Sequence, residues 1–305
     1  MYSGLILLNK KAGITSFEAL GEIKRALGMG KVGHTGTLDK FARGLLVVLV
    51  GRALKLSRWF SHCDKQYSGR LRFGIQTDTL DPEGSAVGEA AVPTREKVEQ
   101  VLTQFTGTIM QEPPAYSAIH VNGRRAHELA RSGEEPEMKK RQVNIYKLEL
   151  RCWEPPFADI FVHCSSGTYI RSLARDIALA AESRAHLYAL TRTQVAGFTL
   201  DMTEKDVPPL PTPHSPLPID KTVIAALGLP WFQIAPAEAE NILHGKILAP
   251  VLDGKPLLSQ HGFLQSGAPP EPVTDFSAAV FSGETLIAVV EKSGGGWKYG
   301  CVMGN

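Results

Sequence analysis

The N-terminal part of the chain alternates short apolar runs with polar stretches. Residues 5–8, Leu-Ile-Leu-Leu, form an apolar run that predicts a short buried strand. Thr15, with Glu18 three residues later, matches the capping-box pattern of a helix start. This pattern predicts a helix that ends at Gly28. Its apolar positions recur at helical spacing: Phe17, Leu20, Ile23 and Leu27.

A glycine-rich polar stretch at residues 31–44 predicts a loop, and residues 45–50 form a second buried apolar run. Residues 67–73 alternate as a half-buried strand does. Tyr67, Gly69, Leu71 and Phe73 share one face of this strand, and the polar Ser68, Arg70 and Arg72 share the other.

The middle of the chain mixes helix and strand signals. Thr94 is a helix cap in front of Val98, Val101, Leu102 and Phe105. Residues 159–164 alternate as a strand, and the turn at residues 165–168 leads into a helix beginning near Tyr169 or Ile170. Because no regular βαβ period appears, the order of elements predicts the α+β class.

The C-terminal third has its own pattern. Residues 206–218 contain six prolines and are the best candidate for a linker. Residues 235–248 predict a helix and a turn. Short strands are predicted at residues 278–281, 286–290 and 297–302, with glycines between them. A small, mostly β C-terminal domain follows from this pattern.

Hydrophobic residues make up 43% of the chain, which is enough to bury a sizeable core. The longest apolar run has six residues, far fewer than the roughly 20 that span a bilayer, so we expect no membrane segment. The N-terminal run is too short for a signal peptide. Four cysteines without a C-x-x-C pair fit reduced thiols in the cytoplasm and make a zinc site improbable.

Charge is distributed unevenly along the chain. Residues 1–76 contain 13 Lys and Arg against 4 Asp and Glu, whereas residues 204–305 contain 6 against 10. A basic first quarter fits a surface that faces nucleic acid, and it equally fits an ordinary solvated surface.

The strongest candidate for a functional site is the stretch of residues 33–46, which contains His34 and Asp39 among several glycines. A lone loop Asp can be a nucleophile, a metal ligand or a turn residue that binds its own backbone. Metal ligation is weakly supported, because no second ligand follows at a typical spacing. A phosphate loop is excluded, because neither glycine-rich phosphate motif is present.

Residues 33–46 resemble the signature loop of the TruB-type tRNA pseudouridine synthases, whose G-H-x-G-x-L-D core contains the catalytic Asp. Further blocks resemble this family's motifs in the same order along residues 10–198, about two thirds of the chain. They are residues 10–16 (K-P-x-G-x-T-S), 65–67 (K-x-Y), 74–84 (G-x-x-T-D-T-x-D-x-x-G), 113–118 (P-P-x-[YF]-S-A), 167–173 (G-T-Y-I-R-[ST]-[LI]), and 190–192 with 197–198 (L-x-R…G-x-F).

The chain departs from the family pattern at three positions. Lys11 and Lys40 stand where the family usually has Pro, and Arg43 stands where it usually has Thr. We expect these changes to alter loop rigidity or RNA contact, and not to remove the chemistry.

The resemblance implies that Asp39 is the catalytic nucleophile and that Arg171 is the cation beside it. It implies that Tyr67 stacks on the target base and takes part in removing the C5 proton. By residue type alone, Tyr67 is more commonly an aromatic packed in the core, and Arg171 with Arg175 is equally an exposed helix stripe.

Three further residues gain roles from the resemblance. Tyr169 and Leu190 are expected to wall the base pocket, and His34 is expected to fill the gap that the flipped base leaves. Without the family, Tyr169 and Leu190 are ordinary core residues, and His34 is a loop residue that binds the backbone near Asp39.

The implied fold is a mixed, largely antiparallel sheet with flanking helices. The expected catalytic domain is residues 1–230, with an RNA-clasping segment near residues 116–141 that is rich in Arg and Lys. Residues 231–305 are expected to form a small PUA-like RNA-binding domain, although their acidity argues against a large phosphate-binding role.

The implied activity is isomerisation of uridine 55 in the T-loop of tRNA, without a cofactor or a metal. We expect the tRNA T-arm as the partner, no obligate protein partner, a monomer and a cytoplasmic location. Two rivals remain: an RNA-binding protein without catalysis, and a synthase directed by a guide RNA within a multi-protein complex.

Overall fold

The structure, a computed structural model, describes residues 3–117, 119–121, 123–134, 137–203, 216–253, 255–259 and 276–304. The strands in these ranges are β1 Gly4–Lys10, β2 Val32–His34, β3 Arg43–Val50, β4 Lys65–Phe73, β5 Ile75–Thr77, β6 Ala86–Glu89, β7 Gly107–Gln111, β8 His120–Val121, β9 Arg124–Arg125, β10 Arg141–Glu154, β11 Phe157–Cys164, β12 Ala185–Val195, β13 Phe198–Thr199, β14 Trp231–Gln233, β15 Phe276–Ser282, β16 Thr285–Ser293 and β17 Gly296–Val302.

The helices within the same ranges are short, and none of them has the length and apolar character needed to cross a bilayer. They are α1 Ser16–Leu27, α2 Ser57–His62, α3 Arg95–Leu102, α4 Ala126–Arg131, α5 Ile170–Ala180, α6 Lys221–Ala226, α7 Pro236–Leu243 and α8 Ala249–Leu252, with short 3₁₀ helices at Gly51–Leu56, Thr103–Phe105 and Leu200–Thr203.

The main sheet of the described residues has the strand order β1-β3-β12-β4-β11-β10-β7, with β2 added to β3 and β13 to β12. Its pairings are antiparallel except for β12 with β3. Helices α1, α3 and α5 contribute to the core cluster on one face. The predicted α+β class and the largely antiparallel sheet with flanking helices are therefore confirmed.

Local patterns predicted these elements well. Thr15 accepts a hydrogen bond from the backbone of Glu18, whose carboxylate binds the Thr15 backbone in return, and Gly28 ends α1 with φ of 60°. In β4, the alternation of buried and more exposed residues follows the predicted faces. Residues 45–50 are buried throughout because β3 has strands on both edges and cores on both faces.

The predicted loop at residues 31–44 is shorter than expected. Residues Val32–His34 form β2, and β3 already begins at Arg43. The reason lies in the sheet order: β12 pairs with β3 only at Arg43 and Gly44, so the other end of β3 has an open edge. Strand β2 fills this edge at Val48–Val50, where it satisfies backbone groups that are otherwise unpaired.

A second sheet, in the order β14-β15-β16-β17, lies in the C-terminal part and confirms the strands predicted there. It is consistent with the expected PUA-like domain. Residues from this sheet, including Phe281 and Val289, share a core cluster with Leu5, Val47 and Ile224. The two sheets therefore pack together, and the division at residue 230 stays a prediction.

Polar contacts cross the same interface. The Lys55 ammonium donates to the carbonyl of Val302 at 2.7 Å, and Arg58 pairs with Glu291. Most of the predicted proline-rich linker, residues 206–215 of 206–218, lies outside the described residues. Its end is not a free spacer, because Leu217 forms an antiparallel bridge with Leu5 of β1.

Gly44 provides a test of the packing between β3 and β12. Its φ is 109°, and a Cβ built on it lies 2.4 Å from the carbonyl oxygen of Arg192. We expect Gly44→Ala to lower the free energy of unfolding by about 3 kcal/mol or more, because both strain and overlap act there. Urea unfolding followed by circular dichroism measures this loss.

The matched control is Gly283→Ala, since Gly283 also has a positive φ, of 59°, but no atom lies within 4 Å of its built Cβ. Strain alone predicts a loss of about 1 to 2 kcal/mol there. Equal losses in the two variants would show that the close approach of Arg192 does not matter.

Candidate active site

Asp39 lies on the loop between β2 and β3, and backbone contacts fix this loop from several directions. The Ser16 hydroxyl, at the first position of α1, accepts from the Leu38 N–H at 2.9 Å and donates to the Leu38 carbonyl at 3.0 Å. On the other side of Asp39, the carbonyl of Lys40 accepts from the Gly13 N–H at 2.8 Å. The backbone at Asp39 is therefore held by the start of α1 and the turn before it.

Arg192 holds the same loop from the sheet side. It is only 2% exposed, and its Nη2 donates to the Gly36 carbonyl at 3.0 Å, while Nη1 lies 3.4 Å from the Thr37 carbonyl. Its Nε donates to the Leu45 carbonyl at 2.8 Å. One side chain of β12 therefore connects both ends of the loop that contains Asp39.

Arg171 of α5 meets Asp39 in a two-point ion pair. Its Nε lies 3.0 Å from Asp39 Oδ2, and its Nη2 donates to Asp39 Oδ1 at 3.2 Å. This side-by-side arrangement fixes the orientation of the carboxylate as well as its distance. The structure thus brings together two residues that are 132 positions apart in the sequence.

A second carboxylate, Asp81, binds the other side of the Arg171 guanidinium. Arg171 Nη1 lies 3.3 Å from Asp81 Oδ2 and donates to the Thr79 carbonyl at 2.9 Å, and Nη2 also donates to the Tyr116 carbonyl at 3.1 Å. Arg171 is 6% exposed, so it is not an exposed helix stripe. Its donors are shared among Asp39, Asp81 and two backbone carbonyls.

Burial raises the pKa of Asp39 above its usual value, and the charge of Arg171 opposes this rise. The nearby negative charge of Asp81 adds to the rise, while the buried Lys10 opposes it. The side chain of Asp39 nevertheless keeps 35% of its surface exposed, so it is reachable from outside. The site thus holds an accessible carboxylate whose ionisation depends on its guanidinium partner.

Tyr67 lies on β4, is 8% exposed and belongs to the core cluster on the α5 side of the sheet. Burial raises the pKa of Tyr67 to about 12, against the opposing charge of Arg192. The negative charge of Asp39 adds to this rise.

Tyr169 lies directly before α5, as its N-cap residue, and Leu190 lies on β12. The backbone of Tyr169 exchanges two hydrogen bonds with the side-chain amide of Gln111, at 2.8 and 3.1 Å, which fixes the start of α5. The Arg141 guanidinium lies 5.9 Å from the centre of the Tyr169 ring. Leu190 is buried in the same cluster as Tyr67, and it packs next to Gly69.

His34 is at the end of β2 and not inside a loop as predicted. Its ring is half-buried, and its Nδ1 is buried without a hydrogen-bond partner among the described residues. Burial, assisted by the charge of Arg192, lowers the pKa of His34. The ring is therefore neutral at physiological pH, and a bond from its Nδ1 to the loop backbone is not observed in the described part of the chain.

The two unusual cations next to Asp39 point outwards. Lys40 has a long contact of 3.8 Å with Glu83, and both side chains are about half exposed. The Nε of Arg43 donates to the Thr191 hydroxyl at 3.1 Å and is likewise exposed. Among the described residues, neither side chain has a hydrogen bond or an ion pair with Asp39, so they form a positive rim around the site.

Two participants were not predicted as site residues from the sequence, Asp81 and Arg192. Asp81 lies in residues 74–84 and Arg192 in residues 190–192, both of which resemble family blocks. The available signal was therefore the block match, because neither residue type nor spacing shows that a distant Asp shares Arg171 or that a strand Arg holds a remote loop.

Comparison with known proteins agrees with this geometry. The sequence profile described as "TruB family pseudouridylate synthase (N terminal domain)" matches residues 24–170. The chain is 44% identical over 204 residues to the tRNA pseudouridine synthase B of Borreliella afzelii (strain PKo), a match that covers 66% of this chain and 72% of that one. It is 46% identical over 202 residues to the synthase of the same name from Bordetella avium (strain 197N), covering 65% and 83%.

Solved structures show the same fold. The structure titled "Crystal Structure of a Cbf5-Nop10-Gar1 Complex" contains a chain that superposes with a TM-score of 0.71 at 23% identity, covering 98% of this chain and 84% of that chain. A chain of "Structure of H/ACA RNP bound to a substrate RNA containing 2'-deoxyuridine" gives a TM-score of 0.68 at 22% identity, covering 95% and 78%. The likeness includes the C-terminal sheet, and at these identities it concerns the fold alone.

The shared guanidinium makes a testable prediction about ionisation. Asp81→Asn removes a negative charge that raises the pKa of Asp39, and it leaves the Arg171 charge to Asp39 alone. We therefore expect the pKa of Asp39 to fall in this variant, measured by NMR titration of ¹³C-labelled Asp carboxyl groups.

The control is Asp159→Asn, on the sheet strand β11, where the carboxylate pairs with Arg70 and not with Arg171. This change is expected to leave the Asp39 titration where it was. An unchanged or raised pKa of Asp39 in Asp81→Asn would contradict the sharing of Arg171 by the two carboxylates.

Proposed function

The chain belongs to the TruB family of tRNA pseudouridine synthases, which are isomerases, and we propose that it converts uridine 55 in the T-loop of tRNA to pseudouridine, with Asp39 as the nucleophile. The observation that carries this proposal is the two-point ion pair between Asp39 and Arg171 on a loop with a fixed backbone. A nucleophile needs this combination of a defined orientation and a balanced charge.

The reaction detaches uracil from C1′ of the ribose, rotates it and rejoins it through C5. No group leaves the molecule and nothing is oxidised, so we propose that no cofactor takes part. Asp39 acts as a carboxylate, and burial works against that form by raising its pKa. Arg171 opposes this effect and so favours the ionised form that a nucleophile needs.

The surroundings of Asp39 fit a pocket for a detached base. Tyr67 and Tyr169 supply two aromatic rings whose pKa values the charge of Asp39 raises, and Leu190 supplies an aliphatic side chain in the same core cluster as Tyr67. We propose that Tyr67 stacks on the uracil and takes part in removing the proton from C5. Tyr169 and Leu190 then form the wall that retains the free base during its rotation.

The target uridine must leave its stack to reach Asp39, at a cost of about a few kcal/mol. A flat ring that enters the gap offsets part of this cost. His34 is suited to that position because it is neutral, lies five residues before Asp39 and has a ring nitrogen without a partner in the described residues. We propose that His34 fills the place of the flipped base.

The RNA-clasping segment, residues 116–141, begins directly at the site, since the Tyr116 carbonyl accepts from Arg171. Within this segment, exposed cationic side chains lie on β9 and directly before β10, at Arg124, Arg125, Lys139 and Lys140. We propose that these side chains bind the tRNA backbone. We also propose that the enzyme acts as a monomer, without an obligate protein partner.

The first test is to incubate the purified chain with unmodified tRNA and to map pseudouridine. We expect product at uridine 55, and Asp39→Asn should reduce the rate by a factor on the order of 10⁴, as expected when a nucleophile is removed. Asp159→Asn, on the sheet away from Arg171, should keep the wild-type rate. Absence of product at uridine 55, or equal product from Asp39→Asn, would refute the proposal.

This test also distinguishes the proposed function from its two rivals, an RNA-binding protein without catalysis and a synthase directed by a guide RNA. A pure RNA-binding protein gives no product at all, and a guide-directed synthase gives none with the single chain and tRNA alone. Product at a different uridine would retain the chemistry and exclude the assignment to position 55.

A second test concerns base flipping. His34→Ala should slow the reaction more on folded tRNA than on a mismatched or unstructured loop, because only the folded T-loop loses stacking when the base leaves it. Single-turnover rates on both substrates measure the difference. An equal loss on the two substrates would indicate that His34 positions the loop instead.

A further inference from the structure

Arg192 lies in the candidate active site, but none of the roles proposed above involves its side chain. It is almost fully buried, and in the described part of the chain it has no ion pair with a carboxylate. Among the described residues, its hydrogen-bond acceptors are the three backbone carbonyls of Gly36, Thr37 and Leu45. A buried guanidinium without a carboxylate is expensive, so a merely structural link between strand and loop does not explain it.

The register of the sheet places Arg192 directly beside Tyr67. The two residues are partners on the antiparallel strands β12 and β4, so their side chains lie on the same face of the sheet. The charge of Arg192 also lowers the pKa of the Tyr67 phenol, against the effect of burial. Arg192 therefore lies beside Tyr67 and, at the same time, binds the backbone of the loop that contains Asp39.

The charge of Arg192 reaches other groups of the site as well. It lowers the pKa of Tyr67, of His34 and of the buried Lys10. A neutral side chain with the same hydrogen bonds does not do this. The geometry and the charge of Arg192 are thus directed at the groups that face the substrate, although Arg192 itself lies behind them.

We propose that Arg192 is a positioning residue, which links the Tyr67 hydroxyl to the backbone of the Asp39 loop and thereby sets the placement of the phenol relative to the carboxylate. This inference rests on the proposed pseudouridine synthase activity. It assigns to the Arg of β12 a role in the chemical step and not in RNA binding.

The test compares Arg192→Gln and Arg192→Lys with the control Arg70→Gln. Arg70 lies on β4 with its side chain on the opposite face, where it pairs with Glu154 and Asp159. We expect Arg192→Gln to lower the single-turnover rate about 100-fold, since a small misplacement of reacting groups has an effect of that order. The affinity for tRNA should stay within about twofold, and Arg70→Gln should keep both values.

Arg192→Lys keeps the charge and one donor, so we expect it to recover part of the lost rate. NMR titration of His34 gives a readout that a structural role does not move. Because Arg192 lowers the pKa of His34, this pKa should rise in Arg192→Gln and remain low in Arg192→Lys. Both titrations use the full-length chain.

A double-mutant cycle with Tyr67→Phe tests the link itself, and it uses Arg192→Lys if Arg192→Gln does not fold. The loss caused by changing Arg192 should be at least several-fold smaller when the Tyr67 hydroxyl is already absent. Additive losses within about twofold would overturn the proposal, as would an Arg192→Gln variant with the wild-type rate. These outcomes differ from failure of the proposed function, in which the wild-type chain itself forms no pseudouridine.

Discussion

The guanidinium of Arg171 is the point on which the arrangement of the site depends. Asp39, Asp81 and the Tyr116 carbonyl come from three separate segments, and all three bind this one side chain: Asp81 at Nη1, the Tyr116 carbonyl at Nη2, and Asp39 at Nε and Nη2. Burying an ion pair is costly, and a pair that loses one partner leaves an uncompensated charge. The contacts compensate this cost only when all segments are in place, so the correct fold and the correct site form together.

A second constraint is that the loop containing Asp39 has little regular structure of its own. It obtains order from its surroundings: Ser16 binds Leu38 on one side, and Arg192 binds Gly36 on the other. Strand β12 can supply Arg192 only because it lies between β3 and β4 in the sheet. The strand order of the sheet therefore determines which side chains lie beside the loop that contains Asp39.

The sequence predicted the elements whose signals are local. The capping box of α1, the alternation in β4 and the apolar run of β3 all depend on neighbours within a few residues, and all are confirmed. The sharing of Arg171 by Asp81 and the contacts of Arg192 were not predicted, because they depend on strand order and on distances between remote segments. Strand β2 was missed for the same reason, since only the open edge of β3 makes three residues a strand.

Charged residues that are close to Asp39 in the sequence are not the ones that control its pKa. The groups with the largest effects on the pKa of Asp39 include Arg171, Asp81 and Lys10, and Lys40 is not among them although it is the next residue. Lys40 is about half exposed, so water and salt screen its charge, whereas Lys10 is buried. Buried charges set the ionisation of the carboxylate. The side chains of Lys40 and Arg43 form an exposed rim, so these two departures from the family pattern add positive surface charge and are not among the groups with the largest effects on the pKa of Asp39.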